Sequence, residues 1–216
     1  MAGKRPKQFL ELAGIPIIIH TLSAFERCEV IHEIIIVLAA EETEGFLSLA
    51  NESGLRKIKA VVPGGATRAE SVLHGLQAIA GASAEIVAVH DGVRPFVTAD
   101  EIARTVEAAR VEGAAILVAA PVDTIKQVGN GAVIKTLRRE QVRQALTPQC
   151  FRYDLLRRAY EETDVSDLEL TDESALVERL GVRIVTVEGS PRNIKITQPE
   201  DLMIGEALLK EINLEL

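Results

Sequence analysis

Glu85-Ile86-Val87-Ala88-Val89-His90-Asp91-Gly92-Val93-Arg94-Pro95 reads as a strand that runs straight into a polar turn. Ile86 to Val89 shows no polar alternation, the pattern of a strand buried on both faces. Such strands belong to α/β sheets, where ligands bind beyond the carboxyl ends of the strands. Asp91 and Arg94 therefore fall where chemistry is expected, while His90, next to the buried run, reads as a structural histidine. The same pattern recurs on either side. Upstream lie a helix over Pro16–Arg27, an apolar strand over Glu33–Ala39, a helix over Glu41–Ser53 stopped by Gly54, a strand over Lys59–Val62 and a helix over Thr67–Ala80. Downstream, Thr98 or Asp100 caps a helix to about Arg110, and Ala114–Ala119 is another apolar strand. Alternation of this kind predicts an α/β fold, a mostly parallel sheet with helices on both faces.

The alternation breaks at Thr124–Thr136, where Gly129-Asn130-Gly131 separates two apolar-containing runs. This is a hairpin signal. It predicts an arm at about 121–140 projecting from a single domain of residues 1–216, and an arm of that kind suits a homodimer clasp. Leu146-Thr147-Pro148-Gln149 reads only as a short connecting segment. Helices over Tyr153–Glu162, Asp172–Leu180 (capped by Thr171, with Asp172 and Glu173 favouring the positive end of its dipole) and Pro199–Leu209, and a strand over Val182–Val187, complete the pattern.

Composition narrows the function. The 216 residues are 47% hydrophobic but only 3% aromatic, with no Trp, so Ile, Val, Leu and Ala must build the core. A net charge of -8 argues against a broad basic surface for nucleic acid. Cys28 and Cys150 have neither metal-ligand nor CxxC spacing and read as reduced thiols of a cytoplasmic protein.

Three further segments carry candidate chemistry. Gly64-Gly65-Ala66-Thr67-Arg68-Ala69-Glu70-Ser71 joins a strand to a helix, and paired glycines let backbone approach a flat ring or a phosphate. Asn193-Ile194-Lys195-Ile196-Thr197 places a lone cation in an apolar strand-like run, where it needs an anion. Arg5-Pro6-Lys7-Gln8-Phe9 puts Lys7 in a basic loop within reach of a phosphate. Asp91 could hold a divalent cation that bridges nucleotide phosphates. Taken residue by residue, plainer roles stay open: an ordinary turn, a loop aspartate, a salt-bridged lysine, a solvated tail.

In this order, these segments, with Ala119-Ala120-Pro121-Val122-Asp123-Thr124, Ala145-Leu146-Thr147-Pro148-Gln149 and Leu170-Thr171-Asp172-Glu173-Ser174-Ala175, resemble the 2-C-methyl-D-erythritol 4-phosphate cytidylyltransferases. The resemblance implies a Rossmann-like fold with a β-arm, a homodimer, Mg2+ or another divalent cation, and transfer of CMP from CTP to a polyol phosphate. It implies that Lys7 stabilises the pentacoordinate α-phosphorus. Gly65, Ala66 and Ser71 would hold cytosine, and Asp91 would mark the nucleotide and metal site, supported by Arg94. Thr171 and Lys195 would grip the acceptor, with Arg139 reaching the partner's site.

The family's opening strand and Ala-Ala-Gly-x-Gly-x-Arg-Met loop have no counterpart ahead of Met1. From the sequence, a sheet short of one central strand is expected, with weak or no CTP turnover by the chain as it stands. Pro191-Arg192 replaces an acidic residue found in some members, so no metal role is expected there. A ribitol 5-phosphate cytidylyltransferase and a nucleotide-binding but inactive dimer are the rival readings.

Overall fold

A computed structural model describes residues 6–79, 84–163 and 172–214. A small hairpin opens it, β1 (Glu11–Leu12) pairing with β2 (Ile15–Pro16). Ala13 and Gly14 make its turn with φ of 52° and 78°, and it leads into α1 (Ile17–Arg27). There follow β3 (Ile34–Leu38), α2 (Thr43–Glu52), β4 (Ile58–Pro63), α3 (Arg68–Gln77), β5 (Ile86–Val89), α4 (Ala99–Glu112) and β6 (Ala114–Ala119). The arm is β7 (Lys126–Gly129) with β8 (Ala132–Thr136). Then come β9 (Gln144–Arg152), α5 (Tyr153–Glu161), α6 (Ser174–Arg179), β10 (Val185–Glu188) and α7 (Pro199–Leu214).

The α/β class holds, and the helices cover both faces of the main sheet. Neighbouring strand residues show this directly. Ala115 and Cys150 pack with Phe25, Ile102 and Val106 of α1 and α4. Ala114 and Phe151 point the other way, onto Leu76, Leu156 and Leu176 of α3, α5 and α6. An unbroken apolar run is what a strand needs when helices lie on both sides.

One segment departs from expectation. Residues 146–149 are the middle of β9, which runs antiparallel between β5 and β6 and ties the sheet together in the order β10-β6-β9-β5. Only β10 and β6 are parallel in this sheet, so it is mixed. Thr147 and Gln149 are polar yet 4% and 1% exposed, which hid the strand from a hydrophobicity reading. The 193–197 segment, which looked strand-like, belongs to no sheet.

β3 and β4 form a separate parallel pair. The edges of β3 and β5 face a common cavity of about 720 Å3, lined by Ile34 and Ile36 on one side, Ile86 and Ala88 on the other, with Leu22 and Phe25 beneath. Among the described residues no strand crosses it. The sheet is open along its middle, between β3 and β5, and the cavity reaches His90 and Asp91 at the carboxyl end of β5.

The arm follows the sequence closely. Asn130 and Gly131, at φ 49° and 76°, make the turn. Both residues take the left-handed region that two-residue hairpins require. Val128, Val133 and Ile134 stand exposed on the arm. None of the described helices is long and apolar enough to cross a membrane.

Candidate active site

The turn after β5 builds the centre of the site. The Arg94 amide donates to the Asp91 carbonyl at 3.1 Å, closing the turn and setting both side chains on one side. Arg94 Nε donates to Asp91 Oδ2 at 3.2 Å. Lys195 Nζ meets the same oxygen at 3.1 Å. Arg68, the first residue of α3, places Nη2 3.5 Å from Asp91 Oδ1. Three cations from three chain segments thus converge on one carboxylate. Burial pushes the Asp91 carboxyl up, but Lys195, Arg68 and Arg94 outweigh it and hold it below the usual carboxylate range.

Backbone and buried polar contacts fix this arrangement. Ile196 donates its amide to the Val93 carbonyl at 2.9 Å, which docks the Lys195 segment beside the turn. Arg94 Nη1 donates to the Asn193 carbonyl, and Asn193 Nδ2 to the Thr147 carbonyl, both at 2.9 Å. His90 is structural, as its position suggested. Its Nε2 lies 3.3 Å from the Arg94 carbonyl, which only accepts, so Nε2 carries the proton. Nδ1 then accepts from the Thr147 hydroxyl at 2.9 Å, and the Thr147 oxygen accepts the Asp91 amide at 3.2 Å. Burial lowers the His90 pKa to about 4, so the ring is neutral and neither gives nor takes a proton near neutrality.

The glycine loop borders this centre. The Gly64 amide donates to the Leu38 carbonyl at 2.7 Å, pinning the loop to the end of β3. Thr67 and Glu70 form a reciprocal capping box at the start of α3. Glu70 Oε2 accepts the Ala66 and Thr67 amides at 2.6 and 3.1 Å. Ser71 Oγ accepts the Gly65 amide at 3.1 Å and donates to the Thr67 carbonyl at 2.9 Å. The amides of Gly65 and Ala66 are therefore engaged internally. What the loop presents is its shape: a Cβ on Gly65 would overlap Glu70 Cβ and lie 2.8 Å from its Oε2. The Thr-x-x-Glu spacing at 67–70 announces this box in the sequence.

Lys7 and Arg139 fall outside the cluster. Lys7 is exposed in a short 3-10 turn on the side of Asp201, near the start of α7, whose carboxyl is held below its usual range first by the Thr197 and Gln198 amides and only slightly by Lys7. Arg139 sits at the base of the arm, with Nη2 on the Val122 carbonyl at 2.9 Å. Thr171 lies outside the described residues. Among the described residues no three His, Cys, Asp or Glu side chains gather as a metal cage. The Asp91 carboxylate is ionised, but both its oxygens already face cations. It fits a phosphate-borne Mg2+, which needs one or two protein carboxylates, only if Lys195 or Arg94 turns toward the phosphate.

Comparison with known proteins settles the lineage. The model of the IspD family, 2-C-methyl-D-erythritol 4-phosphate cytidylyltransferase, matches residues 1–211. The chain belongs to this family. A relative of that name from Acidobacterium capsulatum is 44% identical over 211 residues, covering 96% of this chain and 88% of the relative. Another from Bacillus cytotoxicus is 44% identical over 208 residues, covering 96% and 91%. The crystal structure of the Anaerococcus prevotii 4-diphosphocytidyl-2C-methyl-D-erythritol synthase superposes with a TM-score of 0.86 at 32% identity, covering 93% of this chain and 88% of that one. The Thermus thermophilus cytidylyltransferase gives 0.76 at 36% identity, covering 95% and 94%.

Two residues of this family member escaped the sequence reading. Arg68 lies within a motif that gives it no role of its own. Glu173, whose sequence position suits the dipole of α6, turns inward instead: it is 1% exposed and its Oε1 accepts from Arg68 Nη1 at 2.6 Å. Asp172 does the capping instead, accepting the Ser174 hydroxyl and the Ala175 amide at 2.9 and 3.1 Å. Nothing in the local sequence says which of two adjacent acids faces the core.

Proposed function

We propose that this chain transfers CMP from CTP to 2-C-methyl-D-erythritol 4-phosphate and releases pyrophosphate. The convergence of Lys195, Arg94 and Arg68 on Asp91, beyond the carboxyl end of β5, carries this reading. An oxygen of the acceptor phosphate forms a bond to the α-phosphorus of CTP. The bond from that phosphorus to the β-phosphate bridging oxygen breaks, and pyrophosphate leaves with the electron pair. Two anions must meet, so the work is positioning and charge neutralisation. Lys195 and Arg94 turn from Asp91 to phosphate oxygens, and Lys7 stabilises the charge at the α-phosphorus. The loop at Gly65, Ala66 and Ser71 receives cytosine. Thr171 and Lys195 bind the acceptor, and Arg139 reaches it from the partner subunit. Asp91 would hold Mg2+ or another divalent cation, which supplies charge neutralisation for the phosphates. The exposed Val128, Val133 and Ile134 of the arm support a homodimer, and the free thiols of Cys28 and Cys150 support a reducing, cytoplasmic setting.

The test is pyrophosphate release from CTP with each of two acceptors, 2-C-methyl-D-erythritol 4-phosphate and ribitol 5-phosphate. Slow turnover with the first acceptor and none with the second is expected, lost in Lys195→Ala. Turnover only with ribitol 5-phosphate, or CTP binding without any product, would overturn it.

A further inference from the structure

We propose that Arg68 is a positioning residue that couples nucleotide binding to acceptor binding, and that buried Glu173 is what holds it in place. This rests on the cytidylyl-transfer reading above for which ligands occupy the two sides.

Arg68 follows directly on the capped glycine loop, so its backbone moves with Gly64 to Thr67. Its side chain leaves that loop and ends between two carboxylates 82 residues apart in sequence, Asp91 and Glu173. Among the described residues it alone touches both. The grip is unequal: 2.6 Å to Glu173 and 3.5 Å to Asp91. Glu173 therefore takes most of the guanidinium's attraction and leaves Asp91 mainly to Lys195 and Arg94.

Glu173 is held firmly enough to do this. The residues on either side of it are pinned to β9: Gln149 Nε2 donates to Asp172 at 2.9 Å, and the Ser174 amide donates to Gln149 Oε1 at 3.0 Å. Tyr160 Oη donates to the same Glu173 oxygen as Arg68, at 3.5 Å. The second oxygen, Oε2, is buried with no hydrogen-bond partner among the described residues. Burial drives the Glu173 carboxyl above its usual range in spite of Arg68. A buried acid with one oxygen unmatched destabilises the fold relative to an apolar residue. Features of that sort persist where function requires them.

The consequence is mechanical. When a nucleotide draws the glycine loop inward, Arg68 shifts with it and its weak contact to Asp91 changes. Asp91 in turn governs whether Lys195 is free for the acceptor phosphate. Without the Glu173 charge, Arg68 swings fully onto Asp91, Lys195 is released whether or not nucleotide is bound, and the two sites lose touch.

The experiment is calorimetric binding of CDP, which has no pyrophosphate to lose, and of 2-C-methyl-D-erythritol 4-phosphate, each alone and with the other present. The wild type is expected to show mutual enhancement of about tenfold, within the usual range for coupled sites. Glu173→Gln and Arg68→Met are each expected to bring this to within about twofold of unity while each ligand alone still binds. The paired replacement Arg68→Met/Glu173→Leu leaves no buried charge unmatched and should fold even if a single variant does not; it too must lack coupling. Equal coupling in wild type and variants, or no coupling in the wild type, overturns the proposal. Coupling that is present and lost as described supports it, even if the wild type releases no pyrophosphate from CTP, a result that would sink only the reading of the reaction.

Discussion

Replacing Glu101 by glutamine should loosen the site from a distance. Glu101 is 3% exposed at the start of α4. Its Oε2 accepts the Thr98 amide at 2.9 Å and the Thr98 hydroxyl at 3.2 Å. Its Oε1 accepts the Ser190 amide at 2.6 Å. The carboxylate thus joins the α4 cap to the loop that carries Asn193 and Lys195. Two of its partners are backbone N–H groups, which cannot reverse. A glutamine has one accepting end, so its NH2 must face one of those donors. Losing a charge-assisted hydrogen bond costs about 1.5–3 kcal/mol, and a buried donor left unmatched adds about 1–3 kcal/mol. Allowing for relaxation, about 3 kcal/mol overall is expected, a fall in Tm of roughly 6–12 °C for a chain of this size. Thr98→Ala is the control: it removes the cap alone and should cost only about 1 kcal/mol. Calorimetric melting of the three proteins, with kcat/KM for both substrates, decides the matter. A Glu101→Gln Tm within about 2 °C of wild type would refute the argument, since that is less than 1 kcal/mol.

Three further outcomes are expected. His90 is held neutral by burial, with its pKa lowered from 6.5 to about 4. The unfolded chain therefore binds the extra proton first, and stability present above pH 6.5 is lost as the pH falls toward 4, by roughly 3 kcal/mol from this group; urea midpoints across that window should fall more steeply for wild type than for His90→Gln. Gly65→Ala should dislodge Glu70 from its capping box, cost about 1 kcal/mol, and raise KM for CTP more than KM for the acceptor; unchanged KM for CTP would count against the loop as a nucleotide site. Val133→Glu on the arm should turn a sedimenting dimer into a monomer and lower activity by removing Arg139 from the partner's site, and a wild type that sediments as a monomer at micromolar concentration would end that reading.

Much of the architecture was legible locally. Ala114–Ala119 is a strand because its unbroken apolar run leaves it no face to give to water, and Ile86–Val89 is one too, although it is only half-buried because it borders the open cavity. Asn130-Gly131 turns the arm because those residues accept positive φ. Asp91, Arg94 and Lys195 could be named because polar groups at the end of a buried strand, or inside an apolar run, need a reason to be there. Other features were invisible for an equally physical reason. β9 reads as a loop because Thr147 and Gln149 are polar, and partners outside the local sequence, His90, Asp91 and Asn193 for Thr147 and Asp172 and Ser174 for Gln149, make their burial tolerable. Glu173 and Asp172 are neighbours of like chemistry, and the core sorted them, one to Arg68 and one to a helix cap. Local sequence decides which residues prefer to be strand, helix or turn, since those preferences rest on sterics and solvent within a few residues. Which charge meets which is decided by the closed fold, because electrostatic partners are chosen by distance in space and by the water excluded between them.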